Sequence, residues 1–241
     1  MDIIYYIYIY MRILFFVVLI LFLLYLKEIN LKENFITKIN FKLYNLKNKL
    51  IQNNKYESSE QKTLYKFLKK NDNILQLGGN IGTSCIFADK ILKKNNINIC
   101  VEPNSKVIPT IEKNKKKNKS NFTITHGIIS EKKNQKIKDL TLGYKNNYLG
   151  SHISPDGNLH IKSYSLYKIK NYKKINVLFA DCEGCLEKFF NEYKDFINQL
   201  RLIIYEKDWK SICNYDNIEK ILLEKKFKNI KNEREEVWIK E

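Results

Sequence analysis

Ile74-Leu75-Gln76-Leu77-Gly78-Gly79-Asn80-Ile81-Gly82-Thr83-Ser84 is the stretch from which the rest of the chain can be read. An apolar run stops at a glycine pair. Apolar residues then recur at helical spacing, as Ile81, Cys85, Ile86, Ala88, Ile91 and Leu92, which predicts strand, tight turn, helix. Gly78, Gly79 and Gly82 carry no Cβ, so a ligand can press against the backbone where the helix N-terminus points its unpaired N–H groups. Spacing narrows the ligand. A dinucleotide fingerprint would need glycine where Asn80 stands, and a P-loop would need a lysine between Gly82 and the Thr83-Ser84 pair.

What remains is G-x-x-x-G after a strand, and Leu-Gly-Gly-Asn-Ile-Gly-Thr-Ser resembles the first motif of class I S-adenosylmethionine (SAM) methyltransferases. The resemblance implies that Gln76, Gly78, Gly79, Asn80 and Gly82 surround the cofactor. Many relatives carry an acidic residue where this chain has Gln76; its amide can hydrogen-bond the amino-acid end of SAM but cannot neutralise the ammonium. A second strand, Ile97 to Val101, runs into Glu102-Pro103-Asn104. A carboxylate at that strand end, about 20 residues beyond the glycine loop, is where α/β folds grip the two ribose hydroxyls of a nucleoside. The third strand, Phe122 to Ile129, precedes the region that lies beside the adenine in methyltransferases, so Ile128, with Gly127, is the expected wall.

The fourth strand, Ile175 to Ala180, delivers Asp181 and Glu183 to its carboxyl end, where ligands bind in parallel sheets. Asp181-Cys182-Glu183-Gly184-Cys185-Leu186-Glu187, read with the Gly-Asn-x-Gly loop and the Glu-Pro-Asn turn, resembles the FkbM family of SAM-dependent methyltransferases. Members methylate hydroxyl groups, typically of sugars or polyketide-like products. An aliphatic hydroxyl needs a base as the new bond forms; Asp181 is the first candidate and Glu183 the second. Oxygen clusters also suit hard cations, so a divalent ion held by Asp181, Glu183 and Glu206 stays open without being required. A fifth strand, Leu200 to Asp208, and a hairpin of Phe227–Ile230 with Val237–Ile239 complete the expected sheet. The fold class is α/β and Rossmann-like: a mostly parallel seven-stranded sheet with an antiparallel last strand.

In front of this domain, Ile3 to Leu26 is apolar or aromatic apart from Arg12, long enough to cross a bilayer at about 20 residues per span. Tyr5, Tyr6, Tyr8 and Tyr10 would lie at one interface. By the positive-inside rule the lysines that follow the span predict a cytosolic C-terminal domain, whereas counting Arg12 as the flank of a shorter apolar core would reverse the topology. Residues 1–26 are thus read as a transmembrane anchor, 27–56 as a basic juxtamembrane segment and 57–241 as the methyltransferase domain. In the juxtamembrane segment, Leu31, Phe35, Ile39, Phe41, Leu43, Leu46 and Leu50 fit either an amphipathic helix or a solvated tether. Ser58-Ser59-Glu60-Gln61 reads as a capping box before the domain's first helix. Between Glu131 and Lys173, alternating stretches (Tyr148 to Ile153, Leu159 to Tyr164) around Pro155-Asp156-Gly157-Asn158 predict a hairpin facing the substrate.

The net charge of +17 comes from lysine spread along the chain, dense only at Lys113 to Lys119, which reads as the solvated end of a helix. The five cysteines show no extracellular disulfide pattern, and Cys182-x-x-Cys185 lacks a second pair for zinc. The expected activity is O-methyl transfer from SAM to a hydroxyl of a small molecule or glycan by a single-pass membrane protein, with nucleic acid not the expected partner. The alternatives are an RNA methyltransferase, motivated by the charge, and a catalytically inactive SAM-fold scaffold at a membrane, motivated by Gln76.

Overall fold

The computed structural model describes residues 10–27, 39–53, 55–139, 150–232 and 234–240. The chain divides into two units, Met1–Asn40 and Phe41–Glu241. In the first, helix α1 (Tyr10–Lys27) has 18 residues at a mean hydropathy of 2.2 with none of them buried, long and apolar enough to cross a membrane. Tyr5, Tyr6, Tyr8, Leu31 and Phe35 lie outside the described residues.

The second unit opens with β1 (Leu43–Tyr44) and β2 (Leu50–Ile51), then α2 (Ser58–Phe67), β3 (Ile74–Leu77), α3 (Thr83–Ile91), β4 (Asn98–Glu102), α4 (Ile108–Asn118), β5 (Thr123–His126) and β6 (Ile128–Ile129). An inserted group follows: β7 (Gln135–Asp139), β8 (Ser151–Ile153), β9 (Leu159–Ile161) and β10 (Ser163–Tyr164). The chain ends with β11 (Val177–Ala180), α5 (Leu186–Glu192), β12 (Leu202–Glu206), α6 (Tyr215–Glu224), β13 (Phe227–Asn232) and β14 (Glu235–Lys240).

Seven strands form one sheet in the order β13-β14-β12-β11-β3-β4-β5. β11, β12, β3, β4 and β5 pair in parallel, and β14 is antiparallel to both its neighbours. This is the mostly parallel sheet with an antiparallel last strand that the strand spacing predicts. β3, β4 and β11 are buried on both faces, as their continuous apolar runs require. From β3 the chain moves outward through β4 and β5, then returns to β11 on the other side. The strand order therefore reverses between β3 and β11, which opens a crevice at their carboxyl ends. At the opposite end, Asp72 accepts hydrogen bonds from Arg201 Nε (2.7 Å) and Asn176 Nδ2 (3.0 Å), tying the entries to β3, β11 and β12 together.

Three sequence expectations change. The folded unit starts at Phe41, not near Glu57, because part of the juxtamembrane segment is a two-stranded ribbon laid on α4. Phe41 and Leu43 are buried. The Asn114 carboxamide accepts from Tyr44 N–H at 2.8 Å and donates to Tyr44 C=O at 2.9 Å, and Asn118 does the same for Lys42 at 2.8 and 2.7 Å. These two side chains, one helical turn apart, replace the neighbouring strand an edge would need. They also place the inner face of the Lys113–Lys119 run in the core.

The capping box does not form. Glu57 is the N-cap of α2 in a left-handed conformation without a side-chain cap bond, and Ser59 Oγ donates instead to Glu235 Oε2 at 2.7 Å. Nor is the insertion a simple hairpin: β8 and β9 both pair with a central β7, not with each other. The turn at Pro155–Asn158 carries the chain across β7, and a Cβ on Gly157 would sit 2.4 Å from Ile137 O. Tyr148 is outside the described residues.

Candidate functional site

The crevice begins with the glycine loop. Gly78 has φ +89°, and a Cβ there would fall 1.6 Å from the Asp181 carbonyl oxygen, so only glycine lets β3 and β11 end side by side. Gly82, φ +90°, starts α3. Asn80, between them, is also left-handed at φ 42°, a conformation Asn tolerates better than other non-glycine residues. Its N–H donates to Glu102 Oε2 at 2.8 Å, and Asn104 N–H donates to Glu102 Oε1, also at 2.8 Å. Each oxygen keeps a lone pair for a further donor. Burial pushes the Glu102 carboxyl up to about 7, against the pull of those amides.

Next to the loop stands a set of carboxylates. Asn80 Nδ2 donates to Tyr56 Oη (3.1 Å) and Glu57 Oε1 (3.2 Å), bringing the start of α2 over the carboxyl ends of β3 and β11. Burial raises Glu57 to about 7. Glu60, Asp181 and Glu206 each offer an oxygen within 4.8 Å of the others, and so do Asp181, Glu183 and Asp208. Asp181 belongs to both groups and forms no side-chain hydrogen bond among the described residues. Burial, then repulsion from Glu206, Glu57, Glu183 and Asp208, holds it well above the usual carboxylate range. Glu60 is raised for the same reasons, with Glu57 the first of its repelling neighbours. Glu206 is raised by burial against the opposing effect of Arg234, whose guanidinium it binds.

The third part is the turn after β11. Cys182 and Cys185 form a disulfide with Cα atoms 5.4 Å apart, a pairing the cysteine pattern did not suggest. Between them, Glu183 and Gly184 are both left-handed, at φ 53° and 84°. Glu183 N–H donates to Asp208 Oδ2 at 2.8 Å, and its carboxylate accepts from Trp209 Nε1. Burial and the nearby Asp208 raise Glu183 to about 6. His152 of β8 rests on the Trp209 ring, with centroids 4.7 Å apart. The inserted sheet is fastened to the rim by Asn104 Nδ2, which donates to Asp139 Oδ1 (3.0 Å) and Ser151 Oγ (3.1 Å), and by the Lys106–Asp139 ion pair at 2.7 Å.

One cavity runs through these parts, lined by Gly78, Asn80, Glu102, Pro103, Ile128, Asp181, Cys182 and Glu183 among others. The other sequence-derived candidates take different places. Gln76 is fully buried in β3, and its Nε2 donates to Asn98 Oδ1 at 2.6 Å while Asn98 Nδ2 donates to Cys85 C=O at 2.9 Å. That chain leads under α3 and away from the cavity. Gly79 packs on Cys100 and Gly82 on Ile111, shaping the loop from behind. Tyr56, Glu57, Glu60, Asp208 and Trp209 were not expected at the site from the sequence, where Glu60 reads as part of a capping box and Asp208 as the end of the fifth strand. The only signal for the first three was their position at the start of the domain's first helix, which says nothing about a strand end contributed from elsewhere.

No protein-family model matches this chain, and no curated protein does. Among solved structures it is similar to precorrin-6y C5,15-methyltransferase from Geobacter metallireducens GS-15, with 12% identity over 76% of this chain and 87% of that one and a TM-score of 0.46. It is also similar to the ribosomal protein L11 methylase of Lactobacillus delbrueckii subsp. bulgaricus (12% identity, 76% and 79% covered, TM-score 0.43). A third is an RNA methyltransferase from Salinibacter ruber in complex with S-adenosyl-L-homocysteine (11% identity, 77% and 92% covered, TM-score 0.42). The fold is the Rossmann-like methyltransferase fold. Its seven-strand order, antiparallel last strand and crevice at the β3–β11 reversal carry that statement.

Proposed function

We propose that this protein is a membrane-anchored SAM-dependent O-methyltransferase of the FkbM type, acting on a hydroxyl of a sugar or glycan. The observation that carries the reading is the convergence of Gly78, Glu102 and Asp181 on one crevice at the strand reversal. The residues present fit SAM. Glu102 has lone pairs to spare for two ribose hydroxyls, and Pro103 and Ile128 offer apolar surface for adenine. Glu57, Glu60 and Asp181 stand beside the glycine loop, and a bound cation would favour their ionised forms, so they would answer the positive charges of SAM that Gln76 cannot neutralise.

When bound, SAM supplies a methyl group on a sulfonium for in-line displacement. The chain's part is to hold the acceptor close and aligned and to take up its proton. Asp181 Oδ is the favoured site for that proton: it is unengaged among the described residues and lines the cavity at the carboxyl end of β11. Glu183 is already held by Trp209 and Asp208. The inserted sheet, with His152 on Trp209 and Gly150 beside Glu183, would face the acceptor. Helix α1 supports the anchor.

The test is methyl transfer by the full chain in detergent, from radiolabelled SAM to oligosaccharides and to RNA. Label on hydroxyls of the oligosaccharide, lost on Asp181→Asn while S-adenosylhomocysteine still binds, is the expected result. Label on RNA instead, or on oligosaccharide with undiminished rate in the variant, would refute the assignment.

A further inference from the structure

We infer that the Cys182–Cys185 pair is a reversible dithiol–disulfide modification site that sets the shape of the cofactor crevice. Both cysteines line the cavity and are half-buried, so a small reductant can reach them. The other three, Cys85, Cys100 and Cys213, are free and buried, so thiol chemistry is confined to this pair.

The pair brackets the residue whose placement matters. Between the two cysteines, Glu183 adopts a left-handed conformation that costs a non-glycine residue energy, and Gly184 follows it in the same region. The four-residue ring closed by the disulfide holds that conformation. In it the Glu183 N–H reaches Asp208, its carboxylate reaches Trp209, and the Gly150 backbone packs so near that a Cβ would lie 2.0 Å from Glu183 Oε1. With the ring open, residue 183 can return to ordinary backbone space. The wall formed by Glu183, Trp209 and Gly150 then loosens beside Asp181.

The exchange partner is a dithiol. Its thiolate attacks one cysteine Sγ, the S–S bond breaks as a mixed disulfide forms, and the other cysteine sulfur leaves as a thiolate and takes a proton. The partner's second thiolate then displaces the remaining Sγ, which is protonated in turn. Two cysteine thiols and one cyclic disulfide of the partner result, two electrons and two protons having passed to the protein. Oxidation runs the same steps backward. The disulfide form is the one with the crevice assembled. Ligand affinity should therefore fall about tenfold on reduction, the order expected from releasing one left-handed non-glycine residue.

The affinity consequence rests on the SAM reading above, so the experiment has an arm that does not. The full chain in detergent is poised across ratios of reduced to oxidised dithiothreitol, and differential alkylation reads the thiols at Cys182 and Cys185. Trp209 emission, isolated by comparison with Trp209→Phe, reads the wall, and calorimetry reads S-adenosylhomocysteine affinity. The expected result is one two-electron titration of the pair, with emission changing in step and affinity falling about tenfold. A Cys182→Ser/Cys185→Ser variant that is folded by circular dichroism should show the reduced-state emission and affinity at every poise. Emission and affinity that stay constant while the pair titrates would overturn the inference, as would a pair that stays reduced under all poises. If the homocysteine product binds in neither state, the SAM reading fails while the emission step still decides the redox site.

Discussion

Replacing Glu57 by Gln removes one charge from the carboxylate set while keeping an oxygen for Asn80 Nδ2. In the folded protein Glu57 titrates at about 7 against an ordinary 4.5, chiefly because it is buried. At about 1.4 kcal/mol per pH unit, its ionised form is thus about 3 kcal/mol more costly folded than unfolded. The sign follows: stability from a carboxyl with a raised pKa is fully present below 4.5 and is lost as pH rises through 7. The wild type carries this loss at pH 8 and Glu57→Gln does not. Protons also redistribute to Glu60 and Asp181, so about half the figure is a safer expectation. For a domain of this size about 1 kcal/mol moves Tm by roughly 2–4 °C. Glu57→Gln should then melt at least ~3 °C above wild type at pH 8, with the gap closing toward pH 4.5. Thermal unfolding of the full chain in detergent, followed by circular dichroism from pH 4.5 to 8, measures this. A gap independent of pH, or a variant less stable at pH 8, would show that burial does not disfavour the ionised form of Glu57 as described.

Three further outcomes follow from the crevice and its supports. Gly78→Ala should cost more than about 2 kcal/mol, since its Cβ would lie 1.6 Å from Asp181 O at a φ of +89°; an unchanged melting curve would contradict the close crossing of β3 and β11. Glu102→Gln keeps the side chain's shape but loses charge and one acceptor oxygen, so S-adenosylhomocysteine should bind roughly ten- to a hundredfold more weakly by calorimetry. Affinity within twofold of wild type would move the ribose elsewhere. Asn114→Leu leaves Tyr44 N–H and C=O without their partners, which should destabilise the domain by about 1–3 kcal/mol and speed amide exchange across residues 41–51 ahead of the main sheet. Exchange of that ribbon at the wild-type rate would show that the two asparagines do not hold it.

The features legible in the sequence were those that local pattern controls. Apolar runs ending in glycine or a carboxylate marked β3, β4 and β11 and their carboxyl ends, because a parallel strand buried on both faces must read as a continuous run. Gly78, Glu102 and Asp181 could be placed at strand ends on that basis, Ile128 only through the family resemblance, and α1 is visible from length and hydropathy alone. What tertiary structure decided was which distant segments complete the site. Gln76 sits on a buried strand, and pairing with Asn98 turns it beneath α3. The carboxyl groups beside the glycine loop include Glu57 and Glu60, brought there by the packing of α2. The alternation of Phe41 to Ile51 fits a ribbon as well as a helix until Asn114 and Asn118 present their amides to it. Cys182 and Cys185 meet in a disulfide across a turn whose two central residues are both left-handed, a closure that spacing alone does not reveal. Spacing along the chain determines helical and strand faces, whereas each of these outcomes depends on contacts between residues far apart in sequence.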